Sequence, residues 1–125
     1  MNKEFIKILK EFVEIPSIST DPAYKKDIEK ASSWVFNYAQ KSGLEAKIIR
    51  GFENPVIIAK TAVDPKLKTI LVYGHYDVQP ADTNLFNLKK KGNRFYGRGT
   101  ADNKGQILIH LYSVIKLLKE KKTGI

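Results

Sequence analysis

A histidine and an aspartate stand two residues apart in the segment YGHYDVQP, residues 73–80. In an extended segment, the i and i+2 spacing of His75 and Asp77 projects both side chains from one face. An imidazole beside a carboxylate suits a metal ligand whose ring is oriented by the carboxylate, and it equally suits a general base. A histidine hydrogen-bonded to a loop aspartate without any chemical role is the third interpretation. The pair alone leaves all three open.

A second group of candidate residues surrounds Asp102 in the stretch GRGTADNKG, residues 97–105. Three glycines in nine residues indicate a tight turn or a close approach of the backbone to another group. A dinucleotide-binding loop would need glycine at position 102, and a phosphate-binding P-loop would end in Gly-Lys-Ser/Thr, so neither pattern is met. Asp102 is therefore either the N-cap of a following helix or a metal ligand held at a glycine-lined turn.

The apolar spacing predicts three helices. The i, i+3, i+4 pattern of residues 5–13 is typical of an amphipathic helix, which Pro16 terminates because the residue before a proline avoids the helical region. A second helix is predicted from about Ala23, with Gly43 at its C-terminal cap. The third begins at about Asn103. Trp34 and the tyrosines are predicted to be packing residues, and His110 is predicted to lie at the boundary of the apolar face of the third helix.

Short runs rich in β-branched residues predict strands between these helices. They cover residues 46–49, 56–61 and 69–73, and a hairpin joins residues 86–88 to 95–96 through a basic turn at 89–94. The mixture of strands and helices predicts the α/β class. His75 ends one predicted strand and Asp102 follows another, and ligands bind at the C-terminal ends of strands in such sheets. The two groups of candidate residues are therefore predicted to meet.

Composition sets broad limits on this chain of 125 residues, which is 42% hydrophobic and 28% charged and contains no cysteine. These fractions are typical of a globular domain. The lack of cysteine excludes disulfides, a thiolate nucleophile and a cysteine-based zinc site from this sequence. No apolar run approaches the roughly 18 residues of a membrane span, and the N-terminus has no signal-peptide core. Cytoplasmic residence is the resulting prediction.

The net charge of +9 is concentrated in residues 89–125, which carry ten basic and two acidic residues. One interpretation is a non-catalytic basic interaction module or a nucleic-acid-binding surface. It would use Lys89–Lys91, Arg94, Arg98 and the terminal lysines. The other interpretation is that the chain is truncated and lacks acidic sequence that would balance the charge. The last residues, 123–125, are interpreted as a helix stop followed by the start of another strand.

The segments LVYGHYDVQP, residues 71–80, and FYGRGTADNKGQ, residues 95–106, resemble the two N-terminal signatures of a family of dinuclear zinc metallopeptidases. The family includes cytosolic non-specific dipeptidase, carnosinase, acetylornithine deacetylase, succinyl-diaminopimelate desuccinylase and glutamate carboxypeptidase, and the dipeptidase branch is the most similar. The resemblance implies that residues 1–125 form the N-terminal portion of an α/β catalytic domain, with a mixed sheet flanked by helices. It also implies that a lid or dimerisation domain is absent from this sequence.

The resemblance further assigns roles to the candidate residues. His75 would bind one zinc ion, Asp102 would bridge two, and Asp77 would take part in catalysis by orienting His75. The Asp102–Asn103 peptide bond would be cis. The expected cofactor is Zn²⁺, two per intact site, with Co²⁺ or Mn²⁺ as alternatives. The general base and the other ligands would lie beyond residue 125.

The activity implied is hydrolysis of an amide bond in a dipeptide or an N-acylated amino acid. A homodimeric intact protein is expected, without nucleic-acid or membrane partners. The isolated 125-residue chain is expected to be inactive.

Overall fold

The computed structural model describes residues 2–120, and the predicted helix stop at residues 123–125 lies outside them. Residues 2–120 contain three α-helices and four short strands, in the order of two helices, four strands and the last helix. Their bounds are α1 Lys3–Val13, α2 Lys25–Lys41, β1 Glu45–Ile49, β2 Val56–Lys60, β3 Lys89–Lys91, β4 Arg94–Tyr96 and α3 Lys104–Lys119, with 3₁₀ turns at Pro22–Tyr24 and Thr83–Phe86. The α/β class is confirmed.

The first helix begins where its sequence offers a cap and ends before the proline. The Asn2 side chain accepts a hydrogen bond of 2.9 Å from the Glu4 N–H, which satisfies one of the free donors of the first turn. Leu9, Phe12 and Val13 form its buried face. The predicted amphipathic helix is thereby confirmed.

Gly43 ends the second helix by a left-handed cap, as predicted. Its φ is +95°, and the Gly43 N–H donates to the Gln40 carbonyl at 3.1 Å. The Leu44 N–H donates to the Ala39 carbonyl, also at 3.1 Å, and both of these residues are buried in one apolar cluster with Ile115 of α3. This pair of bonds with its apolar contact is a Schellman motif.

The strands pair in two antiparallel hairpins, β1 with β2 and β3 with β4. In the first, Glu45 faces Lys60 and Ile49 faces Val56. A parallel pairing also occurs within residues 2–120, as an isolated bridge between Ile18 and Val78. Parallel and antiparallel pairings are therefore both present, and the parallel bridge lies beside His75 and Asp77.

Two predicted strands are wrong. Residues 69–73 form no strand, because no described strand lies beside them, and Leu71 and Tyr73 are 90% and 88% exposed. In the predicted hairpin, Phe86 belongs instead to the 3₁₀ turn Thr83–Phe86. The lysines of Lys89–Lys91 form strand β3 rather than the turn, because Gly92 with φ +57° supplies a two-residue turn directly after them.

Aromatic side chains fill the space between α1 and α2. The Phe12 and Trp34 rings are stacked at 4.5 Å between centroids, and Tyr38 continues the stack at 5.3 Å from Trp34. The predicted packing role of Trp34 is confirmed. Leu9, Val13 and Leu108 form the apolar contact between α1 and α3. None of the helices described in residues 2–120 is long and apolar enough to cross a membrane.

Replacing Gly43 by alanine is expected to destabilise the protein by about 1–2 kcal/mol, because alanine pays a steric cost at positive φ. A Cβ at this position would contact nothing within 4 Å, so the loss would come from the backbone alone. Ser42→Ala is the matched control, since the Ser42 φ is −90°. Urea denaturation of the protein and both variants measures the difference. Equal stability of Gly43→Ala and the wild type would contradict the prediction.

Candidate metal centre

The segment that carries His75 is held by the chain just after α1. The Ser17 hydroxyl donates to the Tyr76 carbonyl at 2.7 Å, and the Val78 N–H donates to the Ser17 carbonyl at 2.9 Å. Ser17 is fully buried. The residues on both sides of Asp77 are therefore fixed through their backbone to residues 17 and 18.

Asp77 orients the His75 ring. The His75 Nδ1 lies 3.0 Å from the Asp77 Oδ1 and 3.1 Å from the Asp77 carbonyl oxygen. The other carboxylate oxygen, Oδ2, accepts a hydrogen bond of 2.5 Å from the Ser19 hydroxyl. A proton on Nδ1 satisfies this arrangement and leaves Nε2 as the nitrogen that can bind a metal ion.

The His75 Nε2 faces Asp102, 27 residues further along the chain. Nε2 lies 3.1 Å from the Asp102 Oδ1, and the Asp102 side chain is 82% exposed. The three residues selected from the sequence are therefore brought together. The Asp102–Asn103 peptide bond is cis, which confirms that prediction.

The N-cap of α3 is Asn103 and not Asp102, so the helix-cap interpretation of Asp102 is wrong. The Asn103 side chain bonds elsewhere: its Oδ1 accepts from the His75 N–H at 3.3 Å, and its Nδ2 donates to the Gln106 Oε1 at 2.5 Å. Asn103 thus joins the segment of His75 to the start of α3. Asp102 does not cap the helix, and its carboxylate contacts the His75 imidazole instead.

The distance between the two donor atoms fits a shared metal ion. Two donors about 2.0–2.1 Å from one zinc ion are roughly 3.3 Å apart at the tetrahedral angle, close to the 3.1 Å between Nε2 and the carboxylate oxygen. Residues 2–120 contain no group of three or more His, Cys, Asp or Glu side chains that could hold a metal ion. His75 and Asp102 therefore fit part of a metal centre, which in catalytic zinc sites has three protein ligands.

Two opposing effects act on the pKa of His75. Partial burial lowers this pKa, but the hydrogen bond to the Asp77 carbonyl, the hydrogen bond to Asp102 and the two negative charges together raise it above 6.5. The cause is that both ring nitrogens face acceptors, which favours the doubly protonated ring. A metal ion on Nε2 would take the place of one of these protons.

Gly74 and Gly105 allow the His75 segment and the Asp102 loop to lie close to α3. A Cβ on Gly74 would lie 1.9 Å from the Ile107 Cγ2 and 2.5 Å from the Asn103 Oδ1. A Cβ on Gly105 would lie 2.0 Å from the Thr100 carbonyl oxygen. Any side chain at either position would therefore push the loops away from α3.

Three side chains at the site were not predicted from the sequence: Ser19, Asn103 and Lys104. Lys104 is fully buried, and burial lowers its pKa to about 7 against the opposing charges of Asp77 and Asp27. The sequence does indicate that Lys104 is buried, since it stands four residues before Leu108 on the apolar face of α3. Nothing in the sequence pairs Ser19 with Asp77. His110, the other histidine, is exposed on α3, as its predicted boundary position allows.

Gly74→Ala is expected to weaken metal binding at this centre at least 10-fold, because the added methyl group cannot coexist with Ile107 and Asn103 in their present positions. Gly51→Ala is the control: its Cβ would meet nothing within 4 Å, and its φ of +105° gives it a backbone cost, so it also controls for a general loss of stability. Titration of the folded, metal-free proteins with Co²⁺ measures the affinities. Unchanged affinity in Gly74→Ala would show that the close approach is not needed.

In the metal-free protein, Asp102→Asn is expected to lower the pKa of His75. The folded-state pKa is raised, so the stability that His75 contributes is fully present below about pH 6.5 and is lost as the pH rises through the folded-state pKa. Without the Asp102 charge this pKa is lower, so the stability that His75 contributes is lost at a lower pH. NMR titration of the His75 ring protons measures the pKa. Asp82→Asn, which removes a charge at an exposed position without a hydrogen bond to His75, controls for net charge, and an equal fall in both variants would contradict the expectation.

Comparison with known proteins places these residues in a family. Residues 71–124 match the profile of Peptidase family M20/M25/M40. The chain is 32% identical over 130 residues to human Beta-Ala-His dipeptidase, covering 89% of this chain and 26% of that protein. It is 34% identical over 136 residues to the Cys-Gly metallodipeptidase dug1 of Schizosaccharomyces pombe, covering 94% of this chain and 28% of that protein.

The fold is similar as well. The crystal structure of human carnosine dipeptidase 1 superposes with a TM-score of 0.87 and 29% identity, over 96% of this chain and 29% of that one. The chain thus spans about a quarter of the length of the curated relatives it matches. Both signature segments, with His75, Asp77 and Asp102, lie in the matched profile region. The chain therefore matches peptidase family M20/M25/M40 over residues 71–124, and its fold is similar to that of the solved dipeptidase.

Proposed function

We propose that the protein carrying this chain is a metal-dependent hydrolase of an amide bond in a dipeptide or an N-acylated amino acid. The observation that supports it most directly is the 3.1 Å approach of the His75 Nε2 to the Asp102 carboxylate, with the other ring nitrogen held by Asp77. The names of the human and fission yeast relatives, a Beta-Ala-His dipeptidase and a Cys-Gly metallodipeptidase, support a dipeptide substrate.

In this proposal, His75 and Asp102 are metal ligands and Zn²⁺ is the metal, two ions per intact site, with Co²⁺ or Mn²⁺ as alternatives. Bound zinc supplies Lewis acidity, which polarises a carbonyl and lowers the pKa of water toward about 7. Asp77 keeps the proton on Nδ1, so that Nε2 stays directed at the metal. The Asp102 carboxylate is mostly exposed and His75 contacts only its Oδ1, so this carboxylate would be able to help hold a second metal ion as well.

The proposal assigns the remaining ligands and the general base to other parts of the protein. A catalytic zinc has three protein ligands, and residues 2–120 supply no group of three. The isolated 125-residue chain is accordingly proposed to be inactive. Homodimerisation, cytoplasmic residence and the absence of nucleic-acid partners stay predictions.

His75→Ala is expected to lower kcat/KM for dipeptides at least 100-fold without unfolding the protein, because it removes a ligand. Asp77→Asn is expected to cost about 10–100-fold, the usual effect of changing a residue that orients a metal-binding histidine. His110→Ala is the matched control, since it removes the other of the two histidines of the chain. Hydrolysis of β-Ala-His and Cys-Gly by the metal-loaded intact protein that carries this chain is the measurement, with circular dichroism as the check on folding. Wild-type turnover by folded His75→Ala would refute the proposed site.

A further inference from the structure

Lys104 is the first residue of α3, stands two residues after Asp102 and is fully buried. Its Nζ donates to the Phe12 carbonyl at 3.0 Å and to the Ile15 carbonyl at 2.6 Å. These carbonyls lie at and just beyond the end of α1, where helix carbonyls lack donors within the helix and the helix dipole favours a cationic group. Lys104 therefore caps α1 from a distant part of the chain.

The stem of Lys104 runs along the inside of the glycine-rich loop. A Cβ on Gly99, whose φ is +89°, would lie 3.1 Å from the Lys104 Cδ and 3.0 Å from the Val78 Cγ1. The Gly105 N–H closes the loop with a hydrogen bond of 3.0 Å to the Gly99 carbonyl. The loop that carries Asp102 is thus folded around an aliphatic stem whose far end is fastened to α1.

The same segment after α1 also holds the histidine side of the centre. Ser17 bonds to the backbone of Tyr76 and Val78, and the Ser19 hydroxyl bonds to the Asp77 carboxylate. Residues 12–19 therefore support both sides of the centre. Lys104 attaches the Asp102 loop to them, and Ser17 and Ser19 attach the His75 segment.

We propose that Lys104 is a positioning residue for the candidate metal centre, which fixes the Asp102 loop relative to the His75 segment by bonding to the end of α1. The proposal rests on the proposed function, because it takes His75 and Asp102 as the ligands. It does not depend on the protonation state of Lys104, since a neutral amine has two N–H donors and an ammonium has three. Both states can bond to the two carbonyls.

Lys104→Met tests the proposal, because it keeps the apolar stem and removes the donors. We expect the Co²⁺ affinity of the folded protein to fall about 10–100-fold, as for other residues that orient ligands, with an altered Co²⁺ absorption spectrum. For dipeptide hydrolysis by the intact protein that carries this chain, kcat should fall with little change in KM. In the metal-free protein, hydrogen exchange at the Thr100 and Gly105 amides should accelerate, since the Thr100 N–H donates to the Gly97 carbonyl at 3.2 Å and the Gly105 N–H to the Gly99 carbonyl, and both bonds close the loop.

Lys116→Met is the matched control. Lys116 also joins α3 to α1, through an ion pair of 3.1 Å with Glu4, but it lies about 18 Å further along the helix at 1.5 Å per residue. Its loss should leave the Co²⁺ affinity, the spectrum and the loop exchange unchanged. If Lys104→Met does not fold, Lys104→Gln replaces it, because an amide retains two N–H donors on a stem one bond shorter, and it should change the same readouts in the same direction.

Wild-type Co²⁺ affinity and loop exchange in either folded variant would overturn the proposal, and so would failure of both variants to fold, since Lys104 would then serve stability alone. His75→Ala separates this result from failure of the proposed function. If His75→Ala loses Co²⁺ binding while folded Lys104→Met keeps it, only the positioning role is wrong. If His75→Ala also binds Co²⁺ as the wild type does, the metal centre itself is wrong.

Discussion

One imidazole held between two carboxylates is the interaction on which this site depends. His75 faces Asp77 through Nδ1 and Asp102 through Nε2, at 3.0 and 3.1 Å. Without a metal, this arrangement favours the protonated ring and raises its pKa. With a metal at Nε2, the same geometry would supply one nitrogen and one carboxylate oxygen to a cation. The two states would compete for one position, because a proton and a metal ion cannot share the same lone pair.

Such a geometry needs a support that is rigid to within a few tenths of an ångström, and close packing of backbone supplies it. The segment of His75 and the loop of Asp102 both rest on the chain that follows α1, through Ser17 and Lys104. The glycines at the contacts leave no room for adjustment, since a Cβ on Gly74 or Gly105 would lie about 2 Å from a neighbouring atom. The centre is therefore positioned by closely packed backbone, while Asp102 itself remains open to solvent.

The run of residues 69–73 shows how much a strand depends on its neighbours. Its side chains have the β-branched and apolar character of a buried strand, yet Leu71 and Tyr73 are almost fully exposed and no described strand pairs with it. A strand is stabilised by hydrogen bonds and cross-strand contacts that its own sequence does not contain. The segment that follows still reaches its place, because the Ile18–Val78 bridge fixes it independently.

The sequence by itself determined the elements whose causes are local. These are α1 with its apolar face, the glycine cap after α2 and the start of α3, because side-chain spacing and backbone freedom act within a few residues. The signatures around His75 and Asp102 also pointed to the family that residues 71–124 match and to the three side chains that the structure brings together. Strand pairing was decided by tertiary structure, which left residues 69–73 unpaired and placed Lys89–Lys91 in a strand. Tertiary structure also decided which groups Ser19 and Lys104 bond to, since these partners lie 58 and about 90 residues away along the chain. No local pattern encodes a contact between such distant residues, because it exists only once the helices have packed.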